Sequence, residues 1–329
     1  MTDLSVSSAA VVCADRFYLS DEAQAELARL GGLAWADASD ALDLAEKIGG
    51  SWAVKVIVSE YVPLNDEVLD RAPGLKGVIA YGAGYNHIDV SAMRHASVQT
   101  CNCPGKNSQA VAELVFGLLL SLLRRIPAAD PWVRTGGWAE TGMTLPGWIY
   151  GRELWGKTLG IVGLGHIGVR VAKIAKGFDM KAIGCDPSLD SEQLSSLGVE
   201  PVTLSELLSR SDIVTLHVPL VPETEGMIDE AALAAAKPGV ILVNTSRGRV
   251  IDEDALVRGL RTGHIGGAAL DVFASEPLMS SHPLAGFENV ILTPHIGALT
   301  REAGDRLSDS VARQARDILE GRLPEGLIR

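Results

Sequence analysis

The chain has 329 residues, of which 47% are hydrophobic and 21% are charged, so its composition is that of a folded globular protein and not of a disordered one. At roughly 150 residues per domain, this length predicts two domains. Lys and Arg number 29 against 41 Asp and Glu, and the net charge of −12 disfavours binding to nucleic acid or to an anionic membrane surface.

Targeting and redox signals are sparse. The N-terminal residues lack a basic stretch followed by a hydrophobic one, so we expect no secretory signal. The longest apolar run, Leu114–Leu123, has about half of the ~20 residues that a membrane span needs, which predicts a buried helix. Four cysteines are too few for a disulfide scaffold, and Cys101 and Cys103 lack a second Cys/His pair at zinc spacing. We therefore expect a cytoplasmic protein without a metal site.

Short β-branched runs alternate with longer helical patterns along the chain. The predicted strands are Ala10–Cys13, Val54–Val58, Leu75–Ala80, Thr158–Val162, Lys181–Cys185, Ile213–His217, Val240–Val243, Gly267–Leu270 and Val290–Leu292. Several are apolar on both faces, which is typical of parallel strands covered by helices on both sides. The pattern predicts an α/β fold with doubly wound parallel sheets.

The alternation is interrupted at two places, which are candidate domain junctions. The first lies around Pro104-Gly105, just before a long helix predicted over Gln109–Arg125, and the second lies near Gly297, before the final helix. Between them, Pro127–Gly151 is rich in Pro, Gly and Trp, which predicts a long surface connection.

The motif Gly163-Leu-Gly165-His-Ile-Gly168 follows a predicted strand directly and precedes a helix predicted over Ile167–Lys176. A second strand then ends at Asp186, 18 residues after Gly168. This order and spacing predict a Rossmann βαβ unit that binds a dinucleotide. The first glycine permits the tight turn, the second lets the pyrophosphate approach the backbone, and the third lets helix and strand pack closely.

Asp186 indicates which dinucleotide is bound. A carboxylate at this position can accept hydrogen bonds from both ribose hydroxyls of NAD, and it repels the 2′-phosphate of NADP. No Lys or Arg stands between Ala182 and Ser209 to bind such a phosphate. The sequence therefore predicts NAD as the cofactor.

Three candidate catalytic residues, Arg247, Glu276 and His295, follow successive predicted strands near the end of the chain. Since the carboxyl ends of the strands line the ligand crevice of an open α/β sheet, these side chains could meet beside a bound nicotinamide. Arg can hold a carboxylate with two hydrogen bonds, and His can protonate the oxygen that gains charge as hydride reaches carbon. A neighbouring Glu would stabilise the imidazolium. We also expect Asp271 to accept a hydrogen bond from the nicotinamide carboxamide.

Each of these residues has a plainer interpretation. An Arg after a strand is more often a surface charge, and a His before Ile-Gly is more often a loop residue. The histidines show no metal-ligand spacing such as HExxH, and the absence of the GxxxxGK[ST] and GxSxG motifs argues against nucleoside triphosphatases and α/β-hydrolases.

Together, the motifs resemble the D-isomer-specific 2-hydroxyacid dehydrogenase family. The similarity is dense over roughly Leu75–Arg322, whereas residues 1–60 match only in pattern. The segments that carry it are Gly82–Asp89, Val111–Glu113, Gly163–Gly168, Leu216–Thr224, Asn244–Gly248, Ala269–Phe273, Glu276-Pro277 and Pro294–Gly297.

The resemblance implies a role for each site residue. Arg247 would bind the substrate carboxylate, His295 would be the general acid/base, and Glu276 would be its partner. The cofactor-binding residues would be Val111, Gly163, Gly165, His166, Ile167, Gly168, Asp186, Val218, Thr245, Asp271 and Gly297. The substrate-binding residues would be Tyr81, Gly82, Ala83, Gly84, Arg247 and His295.

The resemblance also implies the architecture. A Rossmann NAD-binding domain over residues 104–298 would be inserted in a flavodoxin-like substrate domain made of residues 1–103 and 299–329. Two such chains would form a homodimer through their nucleotide domains. The Pro127–Gly151 connection would pack at that interface or, alternatively, close over the neighbouring subunit's site.

The substrate stays open between several small 2-hydroxy and 2-oxo acids. The resemblance implies a glyoxylate or hydroxypyruvate type of substrate, with phosphoglycerate or phosphite dehydrogenase of the same family as alternatives. Glu276 argues against formate, since formate dehydrogenases carry Gln there. His166 stands where Arg is frequent, and Tyr85-Asn86-His87 departs from the common Val-Asp-Asn. The alternative outside enzymes is an NAD-sensing binding protein similar to transcriptional corepressors.

Overall fold

The computed structural model describes residues 4–328. The strands are β1 Val11–Cys13, β2 Leu33–Trp35, β3 Val56–Ser59, β4 Gly77–Ala80, β5 Gln99–Cys101, β6 Thr158–Val162, β7 Lys181–Cys185, β8 Glu200–Pro201, β9 Ile213–Leu216, β10 Val240–Asn244, β11 Ile265–Leu270 and β12 Val290–Leu292.

The α-helices alternate with these strands along most of the chain. They are α1 Asp21–Arg29, α2 Ala41–Ile48, α3 Asp66–Arg71, α4 Val90–His95, α5 Ser108–Leu123, α6 Ile126–Arg134, α7 Gly137–Thr141, α8 His166–Gly177, α9 Ser191–Ser196, α10 Leu204–Arg210, α11 Glu230–Ala235, α12 Glu253–Thr262 and α13 Arg301–Leu319. Short 3-10 helices lie at Val6–Ser8, Gly147–Ile149, Gly248–Val250 and Pro283–Gly286. Within residues 4–328, no helix is long and apolar enough to cross a membrane.

The chain divides into two compact units. The first comprises the described residues up to Asn107 together with those from Ala298 onwards, and the second is Ser108–Gly297. Both are built on an all-parallel sheet.

The sheet of the first unit has five strands in the order β2-β1-β3-β4-β5. This is the flavodoxin-like order, which confirms the predicted fold of this part of the chain. Residues on the two faces of each strand enter different cores, as the two-residue period of a strand requires. Val12 and Ile57 pack with α2, α3 and α4 on one face, whereas Val11 and Ile79 pack with α1 and α13 on the other.

The sheet of the second unit has seven strands in the order β12-β11-β10-β9-β6-β7-β8. Counted from β6, this is the Rossmann order 3-2-1-4-5-6 with β12 added at one edge, so the predicted dinucleotide-binding fold is confirmed. Strands β7 and β8 are added on one side of β6, whereas β9 and the later strands are added on its other side, so the strand order reverses between the neighbours β6 and β9. In open α/β sheets, ligands bind outside the carboxyl ends of the strands at such a point.

Local sequence explains where several helices begin. Thr203 accepts the backbone N–H of Glu206, whose side chain accepts the backbone N–H of Thr203, so a capping box is present at the start of α10. At the start of α12, Asp252 caps the helix, and Glu253 and Asp254 lie in the first turn, where the helix dipole favours negative charge.

Two features of the fold differ from the sequence-based prediction. The strands β2, β5 and β8 were not predicted, because these two- or three-residue strands lack the consecutive β-branched residues that mark other strands of the chain. The predicted surface connection Pro127–Gly151 in fact contains most of α6 and all of α7. Pro127 is the second residue of α6, where a missing N–H costs no intrahelical hydrogen bond.

Candidate active site

The glycine motif forms the turn between β6 and α8 in the second unit. Gly163 has a φ of +89°, and a Cβ atom there would lie 2.7 Å from the carbonyl oxygen of His217. A Cβ atom on Gly168 would lie 2.1 Å from the carbonyl oxygen of Gly163. The first and third glycines are therefore required by the close approach of backbone to backbone, because any side chain would collide with main-chain atoms.

The carboxylate of Asp186 is tied to this turn. Its Oδ2 accepts the backbone N–H of Leu164 at 2.7 Å, and its Oδ1 accepts the backbone N–H and the hydroxyl of Ser188 at 2.9 and 2.6 Å. Burial acts to raise the pKa of Asp186, but these hydrogen bonds lower it below the ordinary range. Asp186 is thus held as a carboxylate at the carboxyl end of β7.

Three observations show that this part of the second unit fits a dinucleotide. A Cβ atom on Gly165 would meet nothing within 4 Å, so the space over the first turn of α8 is open. That turn leaves backbone N–H groups available for an anion, as every helix N-terminus does. The hydroxyl of Thr245 is buried and has no hydrogen-bond partner within residues 4–328. The residues present would therefore hold NAD, with its phosphates at Gly165 and its ribose at Asp186.

Arg247 follows β10 in a turn that Asn244 organises. The Asn244 side chain is buried, accepts the backbone N–H of Ser246 at 3.0 Å, and donates to the carbonyl of Arg247 at 2.9 Å. The Arg247 guanidinium in turn donates to the carbonyl of Ser246 at 2.6 Å. The buried side-chain amide of Asn244 therefore fixes the turn that carries the Arg247 side chain.

Glu276 lies on the loop after β11. Its Oε1 accepts the backbone N–H of Phe273 at 2.9 Å, and its Oε2 lies 2.8 Å from Nδ1 of His295. Burial acts to raise the pKa of Glu276, yet the hydrogen bonds from His295 and Phe273 and the nearby charge of Arg247 lower it overall. Glu276 is therefore a carboxylate at neutral pH.

His295 lies on the loop after β12, and Asp271 holds this loop in place. His295 has a φ of +54°, a left-handed conformation that costs a non-glycine residue about 1 kcal/mol or more. Its backbone N–H is donated to the carbonyl of Asp271 at 2.9 Å. The buried Asp271 carboxylate accepts the backbone N–H groups of Ile296 and Gly297, both at 2.8 Å, and the Thr293 hydroxyl at 2.6 Å. These bonds offset the backbone strain at His295.

The second unit therefore brings Arg247, Glu276, His295 and Asp271 together at the carboxyl ends of β10, β11 and β12. Since a carboxylate only accepts hydrogen bonds, the proton between His295 and Glu276 belongs to Nδ1 of the imidazole. The Nε2 atom is then the nitrogen that can give a proton to a ligand or take one from it. Such a group beside a fixed guanidinium can perform acid/base chemistry on a carboxylate-bearing compound.

The remaining predicted cofactor residues lie in the same unit. His166 and Ile167 open α8, with His166 exposed and Ile167 half-buried. Val218 lies against the turn, because a Cβ atom on Gly163 would come within 3.0 Å of its Cγ1. Val111 is buried on α5, and a Cβ atom on Gly297 would lie 3.4 Å from its Cγ2. Their contacts with the cofactor stay predictions.

The predicted substrate loop, Tyr81–Gly84, follows β4 in the first unit. The ring of Tyr81 is buried, stacks on Phe17 with ring centroids 4.2 Å apart, and donates its hydroxyl to the carbonyl of Tyr18. The side chain of Tyr81 is thus a support of the loop. The half-exposed backbone of Gly82–Gly84 is tied down by Asn102, whose side-chain amide donates to the carbonyl of Ala83 at 2.7 Å.

Sequence reasoning missed three supporting residues. Asn244 and Asn102 shape the two turns above, and Glu253 on α12 accepts the backbone N–H of Ala274 at 2.6 Å. Only Asn244 carried a local signal, since an Asn two residues before a Ser is typical of an Asx turn. The partners of Asn102 and Glu253 lie about 20 residues away in the chain, so spacing could not reveal them.

Comparisons with known proteins support the same interpretation. Residues 116–297 match the family model described as D-isomer specific 2-hydroxyacid dehydrogenase, NAD binding domain. A glyoxylate reductase from Thermofilum pendens is 43% identical over 267 residues, which cover 80% of this chain and 78% of the relative. The crystal structure of a glyoxylate reductase from Paecilomyes thermophila superposes with a TM-score of 0.84 at 31% identity, covering 96% of this chain and 97% of that one.

A second kind of relative is also similar. A D-3-phosphoglycerate dehydrogenase from Mycobacterium bovis is 40% identical over 287 residues, which cover 87% of this chain but only 53% of the relative. These relatives are all dehydrogenases or reductases of small hydroxy or oxo acids, and the matched domain binds NAD. The chain therefore belongs to the D-isomer specific 2-hydroxyacid dehydrogenase family and is an NAD-dependent dehydrogenase of a small hydroxy or oxo acid.

Proposed function

We propose that this protein transfers a hydride between NAD(H) and a small D-2-hydroxy or 2-oxo acid of the glyoxylate or hydroxypyruvate type. The observation that carries the proposal is the 2.8 Å contact between Nδ1 of His295 and Oε2 of Glu276. It leaves Nε2 of His295 as the proton donor for a carbonyl oxygen. The identity of the glyoxylate reductase relative favours this substrate class.

In this proposal NAD(H), when bound, supplies or accepts the hydride. Arg247 binds the substrate carboxylate through parallel hydrogen bonds, which orient the neighbouring carbonyl. His295, protonated, gives the Nε2 proton to the carbonyl oxygen during reduction and takes it back from the hydroxyl during oxidation. Glu276 stabilises the imidazolium and holds the ring in the required tautomer. Asp271 fixes the loop that carries His295.

The two units then have different roles. The second unit binds the cofactor and supplies the catalytic residues, as its match to an NAD-binding domain supports. The Gly82–Gly84 loop of the first unit stays a predicted contact of the substrate carboxylate, as the family resemblance implies. We propose the domain boundaries that the sequence predicts: residues 1–103 and 299–329 form the substrate domain, and residues 104–298 form the NAD-binding domain.

A substrate screen tests the proposal. Purified protein is mixed with NADH and, in turn, glyoxylate, hydroxypyruvate, pyruvate and longer 2-oxo acids, and NADH absorbance is followed. We expect turnover with the smaller acids and much less with NADPH, because Asp186 repels a 2′-phosphate. Absence of turnover with every acid, in protein shown to bind NADH, would contradict the proposal.

The mycobacterial relative favours a second candidate substrate, 3-phosphoglycerate. This substrate carries a phosphate, which calls for additional cations beside the site. The same screen includes 3-phosphoglycerate with NAD, and turnover exceeding that of the glyoxylate pair would select this alternative.

We also propose that the protein is a cytoplasmic homodimer in which Pro127–Gly151 packs against a second copy. This segment exposes large apolar side chains, which is unusual for a surface that stays in water: Trp138 46%, Met143 88%, Trp148 41% and Tyr150 76% exposed. Light scattering should give twice the mass of 34.7 kDa, and Trp138→Glu should give a monomer. A wild-type monomer would contradict the proposal.

Fractionation of the producing cells checks the cytoplasmic location, which the free thiols of all four cysteines support.

A further inference from the structure

The peptide group between Phe273 and Ala274 is the point from which the Glu276 loop is held. On one side lies Gly248, the residue after Arg247, where a Cβ atom would come within 1.8 Å of the Phe273 carbonyl carbon. The Ala274 N–H of the same peptide group is donated to Oε1 of Glu253 at 2.6 Å. The preceding N–H, that of Phe273, is donated to Oε1 of Glu276. Two carboxylates thus bind adjacent amides of one short loop.

Glu253 has a partner of its own. Its Oε2 lies 3.6 Å from Nε2 of His282, and the side chains of Glu253 and His282 are only 14% and 29% exposed. The other ring nitrogen of His282, Nδ1, accepts the backbone N–H of Leu284 at 3.3 Å and so caps a 3-10 helix. Nε2 therefore carries the proton in the neutral ring and faces the Glu253 carboxylate. The bond to the Ala274 amide therefore orients the Glu253 carboxylate, and His282 is its half-buried neighbour.

We propose that Glu253 is a positioning residue for catalysis: by holding the Ala274 amide, it sets the place of the Glu276 carboxylate against His295. The inference rests on the proposed roles of Glu276 and His295. Glu253 touches neither the reacting atoms nor His295, and it acts through the loop. A misplacement of about 1 Å in a catalytic group can cost about 100-fold in rate, so such support matters for activity.

The plainer explanation is that Glu253 only stabilises the helix dipole of α12. Asp254 separates the two explanations, because it lies in the same first turn, is acidic and is exposed. Removal of its charge weakens the dipole interaction as much as removal of the Glu253 charge does. The variant D254N is therefore the matched control for charge.

The test compares E253M, E253Q, H282N and D254N with wild-type protein. Met fills the volume of Glu and favours a helix but accepts no hydrogen bond, whereas Gln keeps an oxygen for the Ala274 N–H. Asn at position 282 keeps an acceptor for the Leu284 N–H but cannot present a ring N–H to Glu253. The readouts are kcat, KM, the dissociation constant of NADH from fluorescence, the pH profile of reduction, and the NMR titration of His295.

We expect E253M to lower kcat by about 10- to 100-fold while the NADH dissociation constant changes less than about 2-fold. In E253M, the pH above which the reduction rate falls should be lower than in wild type, and so should the midpoint of the His295 NMR titration. The reason is that a displaced Glu276 stabilises the imidazolium less. E253Q should recover most of the kcat, H282N should fall between the two, and D254N should match wild type. A merely structural role would not move the titration midpoint.

Two results would overturn the inference. One is an E253M variant whose kcat and His295 titration midpoint equal those of D254N. The other is a loss of activity in E253M without movement of that midpoint. The proposed function is judged separately, because wild-type protein that reduces no 2-oxo acid contradicts that function, while the NMR comparison of wild type with E253M still decides whether Glu253 positions Glu276.

Discussion

His295 and Glu276 meet through a 2.8 Å contact between Nδ1 and Oε2, although they stand on separate loops that follow β12 and β11. Each loop is fixed by its own anchors, Asp271 for His295 and the Phe273 amide for Glu276. The pair is thus held together by groups of the chain itself. An acid/base group prepared in this way has little rearrangement left to make during the reaction.

The imidazole of His295 is expected to be the proton donor for the carbonyl oxygen. The variant H295Q keeps a polar side chain of similar reach but cannot transfer a proton, so kcat should fall by roughly 100- to 10,000-fold. Steady-state kinetics with NADH and glyoxylate check this, and NADH binding measured by fluorescence should persist as the control. A variant as active as wild type would remove His295 from the mechanism.

The guanidinium of Arg247 is expected to bind the substrate carboxylate. In R247K a single ammonium replaces the planar pair of donors, so KM for the 2-oxo acid should rise by about 10- to 100-fold, the effect of a lost hydrogen bond to a charged group. The Asn244 side-chain amide donates to the backbone carbonyl of residue 247, so this bond should survive the substitution. An unchanged KM would show that the carboxylate binds elsewhere.

The pair also predicts a dependence of stability on pH. The pKa of Glu276 is lowered in the folded protein, since the bonds from His295 and Phe273 outweigh the effect of burial. A group with a lowered folded pKa stabilises the fold above its unfolded pKa, and this stabilisation is lost as pH falls through the folded pKa. Wild type should therefore unfold at a higher temperature than E276Q at pH 7, and the difference should shrink as the pH falls below the ordinary pKa of a glutamate and through the lowered pKa of Glu276. A difference that persists in acid would contradict this.

The close approach of Gly248 to the Phe273 backbone predicts strong sensitivity to a methyl group. Since both partners are main chain, G248A forces the Arg247 and Glu276 loops apart and should cost about 1–3 kcal/mol of stability as well as activity. Gly177, at the end of α8, is the control, because a Cβ atom there meets nothing within 4 Å. Thermal unfolding and kcat of G248A and G177A compare the two, and equal behaviour would refute the packing argument.

Local patterns predicted the parts of the site that depend on local geometry. The turn at Gly163 and Gly168 needed only the motif between a strand and a helix, and the strand ends placed Arg247, Glu276 and His295 at one edge of a sheet. The support of Glu276 by Glu253 could not be predicted, because it depends on how α12 packs beside the loop after β11. Nor did spacing show that the carboxylate of Asp271 already accepts three donors from the His295 loop.

The most direct test of the central claim follows the hydride itself. NADH that carries deuterium at both hydrogen positions of nicotinamide C4 is incubated with the protein and a 2-oxo acid whose reduction creates a stereocentre, such as hydroxypyruvate, and the product is analysed by mass spectrometry and chiral chromatography. We predict a 2-hydroxy acid of D configuration with deuterium at C2, formed by wild type and nearly absent with H295Q. A product without deuterium, or of L configuration, would contradict the proposed reaction.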